Sequence, residues 1–310
     1  MVWQPEIEEI NRRKELSRQM GGPEKVAQQH EKGRLTARER ISQVLDKNSF
    51  VELGAMAGVP EYDENDDLKS FQPSSVIMGY GKMNGRDVCI MANDFTVKGG
   101  STDEAAFYKQ DFVERMAIER KMPLVFLYEG AGGSVSEGGT RQPTPINFGW
   151  ANLAELMGKV PVIAANMGTA AGWIAVQVGF SHFNVMTKNS EIFVAGPPLI
   201  KAALNIDIDK HTLGDYKVHV HQSGVIDNVA EDERKTALSS LRNFSATCHR
   251  TCGSSPRALR QATTPTGGKT SFLILYPETL LNPSTCARHC SWSLTKTPCL
   301  NMRPTTDARS

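Results

Sequence analysis

The chain has 310 residues, 40% apolar and 22% charged, which places it among soluble globular proteins and excludes a fibre, a membrane protein or a wholly disordered chain. Lys and Arg number 35 against 34 Asp and Glu, a net of +1, so the concentrated cationic charge of a nucleic-acid binder is missing. The balance conceals two unlike pieces: through Phe244 there are 27 basic and 32 acidic side chains, and from Ser245 onward 8 and 2.

The cysteines divide in the same way. Cys89 stands alone in the first 244 residues, whereas Cys248, Cys252, Cys286, Cys290 and Cys299 crowd the last 66. A body with one cysteine predicts a reducing compartment and no disulfide framework, which makes the cytosol the default location. The opening from Met1 to Ile10 has neither a secretory pattern nor the Arg-rich, acid-poor character of a mitochondrial presequence, although a mitochondrial location stays open. No run of 18 apolar residues occurs, so no membrane span is expected.

In chain order, residues 4–45 predict two amphipathic helices broken at Gly21-Gly22-Pro23. A short strand is expected over Phe50 to Leu53, then a surface loop over the acidic run Glu61 to Asp67. Ser75 to Gly81 and Arg86 to Ala92 flank Asn84-Gly85, the signature of a β-hairpin. A helix from Thr102 to Lys121 follows, carrying Phe107, Phe112, Met116 and Ile118 at near-helical spacing, and then a buried strand, Leu124 to Tyr128. The pattern repeats as a helix at Asn152 to Met157, a strand at Val160 to Ala165, a small-residue helix at Ala170 to Val178, and strands at Phe183 to Met186 and Glu191 to Ala195. Strands alternating with helices predict an α/β layered domain.

Two strands run into glycine-rich turns, Glu129-Gly-Ala-Gly-Gly-Ser134 and Gly168-Thr-Ala-Ala-Gly172. Such turns let backbone N–H groups converge on developing negative charge, as in an oxyanion hole, although any tight strand-to-helix turn also favours glycine. The first is not a dinucleotide fingerprint, because the third glycine of that pattern would fall at Val135; Thr266 to Thr270 is not a P-loop, because Thr263 stands where its opening glycine must be. His219 and His221, alternating in an expected strand, lack a third ligand for zinc and read as structural. Lys98 reads as a solvated turn lysine, and no metal site is expected.

The body resembles the N-terminal half of the carboxyltransferase (beta) subunit of biotin-dependent acyl-CoA carboxylases, the propionyl-, methylcrotonyl-, geranyl- and acetyl-CoA carboxylase group. The resemblance rests on Leu35 to Ile41, Leu45 to Glu52, Gly79 to Gly85, Asn93 to Ser101, Glu129 to Gly138, the Gly168 loop, Ile192 to Pro197, Leu213-Gly214, His219 and Ser223-Gly224, all in family order. It implies a crotonase/ClpP-like spiral of ββα units behind an N-terminal helical extension, with domains at 1–48 and 49–244. It further implies a ligase/transferase that moves a carboxyl group from carboxybiotin to an acyl-CoA enolate. Acyl-CoA is then the substrate, with no cofactor bound covalently to this chain; a biotin carboxylase and biotin carboxyl carrier subunit are the partners, and homo-oligomers are expected.

Carried over by position, the oxyanion N–H pair falls on Ala131 and Gly132, with Gly130, Gly133, Gly168, Ala171, Gly172 and Gly196 shaping the substrate cleft. The family commonly reads Asp-Ser-Gly-Gly-Ala-Arg where this chain has Glu129 to Ser134, so a cation is missing at Ser134. Two alternatives stand beside this reading. One is a non-catalytic acyl-CoA-binding or assembly fragment; the other is a single-domain crotonase-like hydratase or hydrolase using Glu129 or Glu137.

After Phe244 the composition turns to Thr, Ser, Pro, Arg and Cys, and the resemblance is expected to stop. The sets Cys248-His249-x-x-Cys252 and Cys286-x-x-His289-Cys290 are separated by 33 residues without a zinc-module pattern. One permitted back-translation of Phe244 to Pro256, read after dropping two bases, gives Leu-Ser-Tyr-Leu-Pro-Ser-Asn-Val-Trp-Glu-Leu-Pro, which resembles the family text. Residues 245–310 therefore read as an out-of-frame, disordered tail, and the 310-residue chain as an enzyme impaired by loss of the C-terminal domain.

Overall fold

The computed structural model describes residues 3–132 and 150–247. Three helices open the chain: α1 (Gln4–Arg18), α2 (Pro23–Glu31) and α3 (Ala37–Val44). Sequence reading expected two, because the second break at Gly33, in the left-handed region with φ +72°, carries no proline to announce it. Gly21 does more than punctuate: a Cβ there would collide with Thr96 O, and its N–H donates to Thr96 Oγ1 at 2.9 Å.

The strands β1 (Val51–Leu53), β2 (Gly58–Tyr62), β3 (Leu68–Pro73), β4 (Val76–Met83) and β5 (Arg86–Asn93) follow. The acidic run is the tip of the antiparallel β2/β3 hairpin rather than a plain loop; Asp63 Oδ1 accepts the N–H groups of Asn65 and Asp67, which turns the chain. The β4/β5 hairpin is as expected, with Asn84 (φ +54°) and Gly85 (φ +76°) both left-handed in a two-residue turn.

Beyond it lie α4 (Glu104–Arg120), β6 (Leu124–Gly130), α5 (Trp150–Lys159), β7 (Val162–Ala171), α6 (Trp173–Gly179), β8 (Phe183–Thr187), β9 (Glu191–Phe193), α7 (Pro197–Leu204), α8 (Lys210–Gly214), β10 (Asn228–Ala230) and α9 (Leu238–Thr247). The main sheet runs β1-β4-β5-β6-β7-β8-β10, with β9 also beside β7. From β5 to β10 every neighbouring pair is parallel. Parallel strands are buried on both faces, and this sheet carries a hydrophobic layer on each.

Along β6 the side chains alternate. Leu124, Phe126 and Tyr128 join the layer under α4, α5 and α6, whereas Val125 and Leu127 join the layer under α3 and α9. The next residue of the second set is Glu129, so the period of the strand alone sends this carboxylate towards α3.

Several expectations are corrected. Residues 170 and 171 are strand rather than helix: they pair with β6 and β9, and α6 begins only after Gly172 turns the chain at φ +62°, ψ −128°. His219 and His221 lie in a π-helical turn, Lys217–Gln222, not a strand, and do different things. His219 Nε2 donates to Ile192 O at 2.7 Å, while His221 packs edge-on against Tyr216. On α4, Phe112 is exposed; Lys109, Gln110 and Glu114 take the buried face beside Val113 and Ala117. The expected boundary at Phe244 falls inside α9. No described helix is long and apolar enough to cross a membrane, and no three described His, Cys, Asp or Glu side chains are placed to hold a metal.

Candidate functional site

The C-terminal ends of β6 and β7 lie side by side, with Gly130 paired to Ala170. The first glycine turn therefore rests on the second. Gly132 has φ +85°, and a Cβ on it would stand 2.9 Å from Ala171 O and 3.4 Å from Gly172 N. Glycine is required there both by the left-handed backbone and by the approach of the second turn. Ends of parallel strands are where open α/β sheets place ligands, and both turns meet at that edge.

The donors differ in availability. The Ala131 N–H donates to Gly99 O at 2.9 Å, and Gly172 N–H to Phe193 O at 3.1 Å. Gly132 N–H has no acceptor among the described residues, while Gly132 O accepts from Thr102 N at 2.9 Å and anchors the turn. Gly99 and Gly100, at φ +64° and +65°, let the chain before α4 close on this turn, and a Cβ on Gly100 would meet Gly130 Cα at 2.9 Å. Lys98 (φ +47°) is exposed and borders a cleft of about 580 Å³ lined on its apolar side by Val59, Met78, Tyr108 and Phe112.

Gly168 packs directly against a buried carboxylate. A Cβ on it would lie within 2.5 Å of Glu129 Cγ and Cδ, so this glycine makes room for that carboxylate. Gly196 is the N-cap of α7, close to the Phe193 ring at 3.3 Å from an added Cβ. Gly133, Ser134 and Glu137 lie outside the described residues.

Glu129 is fully buried. Its Oε1 accepts from Arg34 Nη1 at 2.7 Å; its Oε2 accepts from Gln29 Nε2 at 2.7 Å and from Arg40 Nη1 at 2.6 Å. Arg40 also makes a two-pronged contact with Glu233, Nε and Nη2 each at 2.9 Å. Burial works against the Arg40 charge, but the two carboxylates overcome it and raise its pKa above the ordinary value. A carboxylate held by two guanidinium groups and facing α3 does not project into the cleft, so the alternative in which Glu129 is an acid–base residue of a hydratase is corrected here.

Sequence reasoning missed Gln29, Arg34, Arg40 and Glu233. One signal was available: Ala37, Arg40, Ile41 and Val44 fall on one helical face, and all four are buried. A guanidinium on an apolar stripe requires a buried acid.

The family model for the carboxyl transferase domain matches residues 28–283. The chain belongs to the carboxyl transferase domain family. The match passes Phe244, so the family signal and the change in composition do not end at the same residue. Biotin-dependent acetyl-/propionyl-coenzyme A carboxylase beta5 subunit of Mycobacterium tuberculosis is 34% identical over 234 residues, 74% of this chain and 42% of that protein. The mitochondrial propionyl-CoA carboxylase beta chain of Homo sapiens is 34% identical over 227 residues, 72% of this chain and 42% of that one. A crystal structure of transcarboxylase 12S, a hexamer with methylmalonyl-coenzyme A bound, superposes with a TM-score of 0.69 at 28% identity, covering 82% of this chain and 49% of the other. The family's crotonase-like α/β architecture, expected from the sequence, is thereby borne out. The chain spans less than half the length of these three relatives.

Proposed function

We propose that the chain forms the acyl-CoA side of a carboxyltransferase site, where a carboxyl group passes from carboxybiotin to the α-carbon of an acyl-CoA. The observation that carries this reading is Gly132: a left-handed glycine with an N–H that no described residue accepts, set against Ala171–Gly172 where two parallel strands end. Removing the α-proton of a thioester puts negative charge on its oxygen, and a fixed backbone dipole stabilises that charge more than it does the ground-state carbonyl. Gly132 N–H fills this role directly. Ala131 N–H, held by Gly99 O, fixes the turn that presents it.

Carboxybiotin, presented by a carrier subunit, supplies carbon dioxide and leaves a ureido nitrogen able to take the α-proton. The chain's own residues hold the thioester and orient its oxygen; no side-chain nucleophile is required. Glycine loops bind acyl-CoA without a covalent cofactor on this chain, and a biotin carboxylase subunit is the partner that would recharge the carrier. Calorimetry with propionyl-CoA is the direct test. Saturable binding, weakened when free coenzyme A replaces the thioester, is expected; no binding at millimolar ligand would remove the proposal.

The alternative of an assembly fragment is favoured by α7, which buries no residue and leaves Leu199 and Leu204 63% and 65% exposed, beside Val194 and Ile206. Large apolar side chains left exposed on one segment are available for association. Light scattering that reports homo-oligomers, reduced by Leu199→Ser and Leu204→Ser together, supports this second role. A monomer at all concentrations removes it.

A further inference from the structure

The Glu129 carboxylate touches no cleft, yet it sits one residue before the first glycine turn and fills the space left by Gly168 below the second. Three donors, all from the N-terminal segment, hold it: Gln29 on α2, Arg34 between α2 and α3, and Arg40 on α3. Arg40 is fixed in turn by Glu233 from the π-helical turn Glu233–Ala237, and Arg34 donates to Asn189 O at 3.1 Å between β8 and β9. Glu129 therefore ties together the two strands that carry the glycine turns, the N-terminal helices and the far edge of the sheet. The same segment grips the other approach to the site, through Gly21 N–H on Thr96 Oγ1, just before the Gly99–Gly100 turn.

A strand end free on one side can twist, but a carboxylate fixed by hydrogen bonds on both oxygens sets the rotation of β6 at the residue before Gly130. That rotation carries through Gly130 to the backbone of Gly132, and so sets the direction of its N–H. We propose that Glu129 is the positioning residue of the first glycine turn, clamped from behind by Arg34 and Arg40, so that the N-terminal helical segment sets the geometry of the oxyanion donor. The consequence for ligand binding rests on the acyl-CoA reading above; the consequence for the turn does not.

The Ala131 N–H bond to Gly99 O reports whether the turn is seated, and Cys89 N–H, which donates to Pro123 O at 2.8 Å at the opposite end of the sheet, is the control. Amide exchange at both positions is measured in the 310-residue chain and in Glu129→Gln, Arg34→Lys, Arg34→Met and Gly168→Ala. Glu129→Gln keeps the shape and removes the charge. It is expected to speed exchange at Ala131 at least tenfold more than at Cys89, and to weaken propionyl-CoA binding about tenfold. Arg34→Met gives the same signature, and Arg34→Lys restores much of it, because the cation remains. Gly168→Ala, which pushes on the carboxylate from the other side, speeds Ala131 even where Glu129→Gln fails to fold.

Equal acceleration at Ala131 and Cys89 would mean loss of global stability, and overturns the proposal, as does no acceleration at Ala131. A wild-type chain that ignores propionyl-CoA sinks the acyl-CoA reading alone, while the exchange pattern still decides the positioning role.

Discussion

Glu114, on the buried face of α4, has Oε1 bonded to Gln110 Nε2 at 2.6 Å, while Oε2 has no partner among the described residues. Burial pushes its pKa up from the ordinary 4.5 to about 7. The folded chain then holds this proton more tightly than the unfolded chain, so the stabilising contribution is complete below about pH 4.5 and is lost as pH rises through 7. Urea unfolding from pH 5 to pH 8 should show a decline on the order of 3 kcal/mol from this group. Glu114→Gln should flatten that decline; an unchanged slope would show that the carboxylate is ionised throughout. At Gly132 an added Cβ meets both the left-handed backbone and Ala171 O. Gly132→Ala is expected to cost about 1–2 kcal/mol and to weaken acyl-CoA binding beyond detection of that change in stability, read by melting and calorimetry together.

Among the elements, α3 matters most for its length, because its eight residues carry Arg40 to Glu129. So short a helix is held by its ends and its packing. Thr36 supplies a complete capping box: Thr36 Oγ1 accepts Glu39 N–H at 3.3 Å, and Glu39 Oε2 accepts Thr36 N–H at 2.8 Å. Thr36→Ala should cost about 1 kcal/mol, measured as a shift in the urea midpoint without a change in slope. Arg40→Met strips Glu129 and Glu233 of their shared cation while all three stay buried. A loss of about 3–5 kcal/mol is expected, far above that of the cap, and a similar cost for both variants would show that the ion-pair network carries little.

At the scale of the whole molecule, the chain covers 42% of the Mycobacterium tuberculosis and human relatives. With carrier and biotin carboxylase supplied, the 310 residues alone are expected to turn over at less than about one per second, and an ordinary enzyme rate would contradict this. The out-of-frame reading of residues 245–310 makes a separate prediction. Genomic or transcript sequence just before the codon for Ser245 should contain an indel, an unrecognised intron or a base-call fault, with the restored frame reading Leu-Ser-Tyr-Leu-Pro. An unshifted transcript, together with one zinc bound per tail, would overturn it. The family match through residue 283, in the frame as given, counts against a shift at Ser245, which makes that transcript the deciding measurement.

The sequence by itself determined the family, the alternation of strands and helices, the Asn84-Gly85 hairpin and the glycine turns, because each is a local pattern of periodicity, turn chemistry or colinear motif. Local pattern did not reach the strand identity of Ala170 and Ala171, whose small side chains favour a helix until β6 and β9 take up the backbone of β7. Nor did it reach the π-helical turn at His219, which Ile192 O recruits from β9. The function of Gly168 was likewise hidden: its missing Cβ answers a carboxylate 39 residues earlier. Glu129 itself looked like an acid beside a cleft. Strand alternation turned it to the opposite face, and two arginines about 90 residues upstream fixed it there, a meeting of distant charges that only the packed sheet and its covering helices bring about.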